Sequence, residues 1–475
     1  MLISMPLRVL LAGFLWLMAS GVAAQPSVLP AEVAAALERA KVPRDSLVVM
    51  AQEAGVSSAT PRLAWQAQML VNPASLMKLV TTTAALDLLG PAWSWTTPVW
   101  LQGRIANGVL DGNLVIKGTG DPKLVLERLW LLLRRVQQLG VREIRGDIVL
   151  DRSAFIAPDQ NPADFDGDPL RPYNVGADAL MLNYKSVLLT FTPDPARSSA
   201  IVTSEPPLGG VLVDISVPLV AGACDDWRSS LRADFTDPAR IRFLGGYSML
   251  CSEKQWPVAY AEPKTYNERV LTGLWREMGG RLVGRVRDGP APATPPTFEL
   301  SSPSLAELVR DINKFSNNVM AQQLFLTLGL TQLGSGTPEA AREALRQWLV
   351  ARAGGVAEGS VIDNGSGLSR DTRISAQLLA RVLQLAWSSP VMPELMSSLP
   401  ISGVDGTMRK SLNTPVGRAH LKTGSLRDVA GIAGYVLASS GRRYVLVAII
   451  NHPNANAARP ALEALVQWAA NDMPN

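Results

Sequence analysis

Three short stretches of this chain could do chemistry together: Ser75-Leu76-Met77-Lys78 early, Ser316-Asn317-Asn318 past the middle, and Lys422-Thr423-Gly424 near the end. A serine hydroxyl attacks a carbonyl only if a base takes its proton, and a neutral lysine amine three residues on, one helical turn away, is such a base. Desolvation, a helix N-terminus and other cations nearby all favour the neutral amine of Lys78. Ser316 supplies a second hydroxyl that can relay a proton to a leaving amine, and Asn318 an amide that can bind a substrate carbonyl. Lys422 and Thr423 can receive a terminal carboxylate, by charge and by hydrogen bond, while Gly424 leaves room for close backbone approach. The N–H groups of Ser75 and Ser425 are the candidate oxyanion donors. The chemistry implied is acyl transfer through Ser75. Each motif alone has an ordinary structural reading: a snorkelling helix lysine, a helix cap, the start of a hairpin strand. Their order and joint presence carry the argument.

The rest of the composition excludes rival chemistries. The chain has two histidines, His420 and His452, and no G-x-S-x-G or H-E-x-x-H. A Ser-His-Asp triad or a histidine-rich metal site is therefore hard to build, and no metal or cofactor is expected. The formal charge of +4 is mild and its cations are dispersed, so nucleic acid is not an expected partner. With 47% hydrophobic and 18% charged residues, the 475-residue chain is globular and long enough for two or three domains.

At the start, Arg8 precedes the apolar run Val9 to Met18, and small residues follow through Ala24. This reads as a secretory signal over residues 1–24, cleaved at the small residues, with an uncleaved anchor as the alternative. Export would place the only two cysteines, Cys224 and Cys251, in an oxidising compartment, where a disulfide is expected rather than two buried thiols.

Elements follow from periodicity and punctuation. Pro30 to Ala40 reads as a helix, Ser46–Ala51 and Leu63–Gln68 as strands, and Pro73 to Leu89 as a mostly apolar helix opened by Asn72 and stopped by Gly90-Pro91. Short strands and turns follow: Val99–Ile105, Gly112–Lys117, a helix over Leu124–Gly140, and strands at Asp147–Leu150, Ser186–Thr192, Ala200–Thr203 and Val211–Val217. Residues 157–173 read as a loop, and Asp288 to Thr297, rich in proline, as a linker. Helices over 302–315 and 318–329 put the Ser316 motif at a break between them. Strands at Val429–Ala438 and Tyr444–Asn451 and a helix over 457–470 complete the chain, so one sheet is expected from both ends of the sequence, covered by the terminal helices.

At these residues the chain resembles the class C low-molecular-mass penicillin-binding proteins, the D-Ala-D-Ala carboxypeptidase/endopeptidase family of peptidase S13 type. Besides the three motifs, Asn113 to Pro122, Gly146 to Asp151, Asn364 to Arg370 and Gly403 to Met408 resemble further family segments. The interval of about 240 residues from Lys78 to Ser316 is its most diagnostic trait. The resemblance implies an α+β fold: a penicillin-binding, transpeptidase-like domain, with an antiparallel sheet, flanking helices and a helical subdomain, carrying a large two-domain β-rich insertion. Residues 25–95 and 298–475 would form the catalytic domain, 96–170 and 262–297 a second domain, and 171–261 a third. The implied activity is a periplasmic serine DD-peptidase acting on D-Ala-D-Ala termini or peptidoglycan cross-links, with β-lactams as covalent inhibitors. A silent cell-wall-binding homologue and a β-lactamase are the alternatives. An acidic residue of the insertion, Asp168 or its neighbour Asp166, would read the amino group of the stem-peptide side chain. Asn317 in the second motif is tolerated in the family, whereas His420 is a departure, placing a neutral imidazole where a basic residue is less surprising. Peripheral membrane association and a homodimer stay open.

Overall fold

The computed structural model describes residues 28–56, 60–411 and 413–472. The signal reading at 1–24 lies outside them. Both ends of the chain build one antiparallel sheet, in the order Ala419–Leu426, Val429–Leu437, Arg443–Asn451, Leu47–Glu53, Leu63–Trp65. Its inner strands are continuous apolar runs, such as Tyr444 to Ile450, because both faces are covered. The terminal helices Ala31–Arg39 and Arg459–Ala470 pack together on one face, around Leu37, Leu446, Leu465 and Val466. On the other lie Met77–Leu89 and Ala376–Trp387, in a core shared with Leu305–Phe315, Asn318–Leu333 and Pro338–Ala353.

Local signals set these helix ends. Ser304 and Glu307 form a reciprocal capping box, and the side chains of Asn317, Thr337 and Ser375 each accept a backbone N–H in the first turn of their helices. Gly90, at φ 82°, ends Met77–Leu89.

Between residues 96 and 301 lies a seven-stranded mixed sheet built on the hairpin Thr96–Ala106 and Val109–Lys117, with a five-stranded and a three-stranded sheet beyond it. Helices Leu126–Gln138 and Tyr266–Glu277 contribute their apolar faces to the core of this part. The expected strand Val211–Val217 is two strands, Leu212–Val213 and Ser216–Val220, in different sheets. The partner changes between Asp214, whose N–H donates to Ile241 O and whose carboxylate accepts the N–H of Phe243, and Ile215, whose carbonyl accepts the N–H of Val202. The proline-rich segment 288–297 is laid along the seven-stranded sheet. Ala291 N donates to Asp151, the Trp100 indole to Thr294 O, and the following strand Phe298–Ser301 pairs with Thr96–Val99. Cys224 and Cys251 are disulfide-bonded, with Cα atoms 5.1 Å apart.

Candidate active site

Asn72 opens the segment that carries Ser75, its Oδ1 accepting Ala74 N at 2.9 Å. A 3₁₀ turn, Ala74–Leu76, then leads into the helix Met77–Leu89, so Ser75 sits in the turn ahead of the α-helix. Ala74 is in left-handed backbone at φ 48°, a strained position for a residue with a Cβ, and it is fully buried. Two glycines allow it. A Cβ on Gly367 would lie 1.9 Å from Ala74 O, and one on Gly424 would lie 2.8 Å from Pro73 O.

Lys78 is completely buried, its Nζ 2.9 Å from Ser75 Oγ, 2.6 Å from Asn318 Oδ1 and 2.6 Å from Ser366 O. Burial, and then the charge of Lys422, hold its pKa well below the usual lysine range. A neutral amine has two N–H bonds and a lone pair. Asn318 and Ser366 accept the two, which leaves the lone pair for the Ser75 proton.

Ser316 caps Leu305–Phe315 in left-handed backbone at φ 57°, which turns the chain between two helices as the motif spacing predicts. Its Oγ accepts from Lys422 Nζ at 2.8 Å, and the same ammonium donates to Thr423 O at 2.6 Å. Lys422 is also fully buried, and burial lowers its pKa to about 7. Its strand is the edge of the sheet, bridged on its outer side only at its start, where Ile401 pairs with His420. On that outer side Leu421 N donates to Pro400 O, so the two-residue period turns the N–H groups of Thr423 and Ser425 outward as well.

Side chains alternate across this strand. Lys422 and Gly424 face the Ser75 turn, and Thr423 and Ser425 the opposite side. There Thr423 Oγ1 lies 2.8 Å from Thr407 Oγ1, and Ser425 Oγ accepts from Arg459 Nη2 at 2.8 Å. His420 is half-buried, and burial lowers its pKa, which keeps the imidazole neutral.

The structure thus joins Ser75, Lys78 and Asn318 in one hydrogen-bonded cluster and Ser316, Lys422 and Thr423 in another, with Gly424 against the Ser75 turn. Asp168 contacts none of them. It pairs with Arg171 at 2.6 Å, while Asp166 accepts from Tyr173 and Asn174. Their loop does approach the rim, where the Arg370 guanidinium stacks on Phe165 and pairs with Asp428.

Several participants had no assigned role from sequence: Ser366, Thr407, Arg459, and the pair of buried Lys314 with Asp405 at 2.6 Å, which ties the Thr407 loop to the helix ending at Ser316. The segments Asn364 to Arg370 and Gly403 to Met408 stood out by resemblance, but nothing in them states a contact.

Comparison with known proteins gives the family. The model of the D-Ala-D-Ala carboxypeptidase 3 (S13) family matches residues 29–472. The D-alanyl-D-alanine carboxypeptidase DacB of Haemophilus influenzae is 27% identical, with 80% of each chain covered, and a D-alanyl-D-alanine carboxypeptidase of an Actinomadura species is 26% identical over 85% of this chain and 78% of its own. The crystal structure of penicillin-binding protein 4 from H. influenzae shares the fold with a TM-score of 0.73 at 23% identity, covering 91% of this chain and 99% of that one. A predatory endopeptidase from Bdellovibrio bacteriovorus shares it more loosely, with a TM-score of 0.52 at 15% identity over 90% of this chain and 94% of that one. With its S-x-x-K serine and lysine in contact and the family model matched over nearly its whole length, the chain belongs to the D-Ala-D-Ala carboxypeptidase 3 (S13) family and is a serine D-Ala-D-Ala peptidase.

Proposed function

We propose that Ser75 is the nucleophile of this peptidase and that its substrates are the D-Ala-D-Ala termini and the D-Ala-diaminopimelate cross-links of peptidoglycan. The buried Lys78 amine, 2.9 Å from Ser75 Oγ and held by Asn318 and Ser366, carries the reading. Ser75 Oγ attacks the carbonyl carbon of the penultimate D-alanine as its proton passes to Lys78 Nζ. The N–H groups of Ser75 and Ser425 hold the oxyanion. Ser316 passes a proton to the leaving amine, the C–N bond breaks, and water then hydrolyses the ester. Asn318 binds a substrate amide, and the strand carrying Lys422, Thr423 and Gly424 receives the terminal carboxylate. β-Lactams enter the same sequence and stop at the ester.

A periplasmic location belongs to the same proposal, supported by the signal-like residues 1–24 and the Cys224–Cys251 disulfide. Asp168 stands in it as the reader of the stem-peptide amine, supported by its loop's approach to Arg370 through Phe165.

Fluorescent penicillin tests the nucleophile. Wild-type protein should carry a persistent adduct, mapped by mass spectrometry to Ser75, and release D-alanine from stem peptides. Ser75→Ala should lose both activities with an unchanged thermal unfolding curve. An adduct on another serine refutes the assignment, and rapid loss of the label from wild type would indicate a β-lactamase instead.

A further inference from the structure

The cation assigned to the substrate carboxylate is enclosed. Lys422 Nζ is buried between Ser316 Oγ and Thr423 O, on the side of the edge strand that faces the nucleophile turn. A second cation stands at the other side of the same edge. Arg459, the first residue of the last helix, donates from Nη2 to Ser425 Oγ at 2.8 Å and to Asn456 Oδ1 at 3.0 Å. Asn456 in turn donates to the carbonyls of Leu426 and Arg427, which pins this turn to the end of the strand and fixes the guanidinium in place.

That guanidinium has spare capacity. Its side chain is exposed, and among the described residues no carboxylate lies within ion-pair distance and no acceptor takes its Nε or Nη1. Glu463, one helical turn on and the natural partner by spacing, instead accepts from Asn413. A fork of N–H donors on a permanently charged plane is the group best matched to a carboxylate. The hydroxyls of Thr423 and Ser425, two residues apart, lie along the same side of the edge.

We propose that Arg459 is a specificity-determining residue of this peptidase: with Ser425 and Thr423 it binds the α-carboxylate of the leaving D-amino acid, while Lys422 holds Ser316 in position. The inference rests on the proposed DD-peptidase reaction and adds to it the cation that selects a free C-terminus. A leaving residue with a free carboxylate would bridge Thr423 Oγ1 and the Arg459 fork. An amidated one leaves the fork unmatched.

The test uses the full chain and two N-acylated peptides ending in D-Ala-D-Ala, one with a free and one with an amidated C-terminus, each also made with its upstream side-chain carboxylate amidated. Wild type should prefer the free C-terminus about ten- to a hundred-fold in kcat/KM, the factor of one charge-assisted contact. Arg459→Gln should lose that factor on the free acid and less than about two-fold on the amide, and Arg459→Lys should recover part of it. If wild type cleaves neither peptide, the DD-peptidase reading fails. If wild type prefers the acid and Arg459→Gln keeps the preference, or loses equally on both peptides, Arg459 does not bind this carboxylate. A loss that follows the upstream carboxylate overturns the assignment to the leaving residue. Should Arg459→Gln unfold, Ser425→Ala must still narrow the preference, and its failure to do so also overturns the proposal.

Discussion

Two buried lysines define the site at the scale of residues, and they cannot both be protonated cheaply. Lys78 is desolvated and feels the charge of Lys422, whose own pKa burial lowers to about 7. In the proposed reaction Lys78 is the general base and must be neutral to act, so the acidic limb of the acylation profile is expected to follow it. A positive neighbour disfavours protonation of Lys78 and moves that limb to lower pH, so removing the neighbour moves it up. Lys422→Gln should therefore shift the acidic limb of penicillin acylation to higher pH, over the range where Lys422 is charged. The position of the limb is the readout, because loss of the Ser316 contact lowers its height as well. A limb that stays in place or moves down would mean that Lys422 does not poise the base.

At the scale of elements, the site depends on how closely the Ser75 turn meets two other segments. Gly367, at φ 78°, lies where a Cβ would sit 1.9 Å from Ala74 O. Alanine there costs about 1 to 2 kcal/mol for left-handed backbone, and the clash must also push Ala74, the residue next to the proposed nucleophile Ser75. Because small misplacements of a nucleophile cost orders of magnitude in rate, Gly367→Ala should reduce penicillin acylation at least about ten-fold. Gly334→Ala is the control. It also has positive φ, at 71°, but its Cβ would meet open space, so it should lower stability by the backbone cost alone and leave acylation unchanged. Equal acylation rates in the two variants would show that the close approach at Gly367 does not position Ser75.

Across the whole molecule, the part of the chain between residues 96 and 301 is fastened to the helix that carries Asn318. Asp178 N donates to Gln323 Oε1, Gln323 Nε2 donates back to Asp178 O, and the Asp178 carboxylate pairs with Lys185 at 2.7 Å and Arg152 at 3.1 Å. Burial pushes this carboxyl up, but Lys185 and Arg152 outweigh it and hold the pKa below the usual range. A depressed folded pKa adds stability that is present above the unfolded value and lost as pH falls through the folded one. Asp178→Asn leaves the buried Lys185 without its carboxylate, while Arg152 keeps Asp288, and should cost about 3 kcal/mol at neutral pH. The gap to wild type in urea unfolding should close as pH drops below 3.8, the ordinary aspartate value. A gap independent of pH would assign the effect to packing instead of charge.

What the sequence by itself determined was local or repetitive. Three residues of spacing put Lys78 beside Ser75, the break between apolar helices put Ser316 in a turn, and the apolar runs at both ends gave the central sheet. These follow from helix and strand periods acting over a few residues, which need no knowledge of what lies across the fold. Tertiary structure alone decided which partner each polar atom meets. Ser366 O on Lys78, Thr407 on Thr423, Asp405 on Lys314 and Arg459 on Ser425 join residues as far as 288 positions apart. It also split Val211–Val217 between two sheets, with Asp214 bonded to Ile241 and Phe243 and the next residue, Ile215, bonded to Val202. Whether a lysine is a neutral base, an ammonium on a hydroxyl or a snorkelling cation depends on burial and neighbouring charge, and those exist only once the chain has folded.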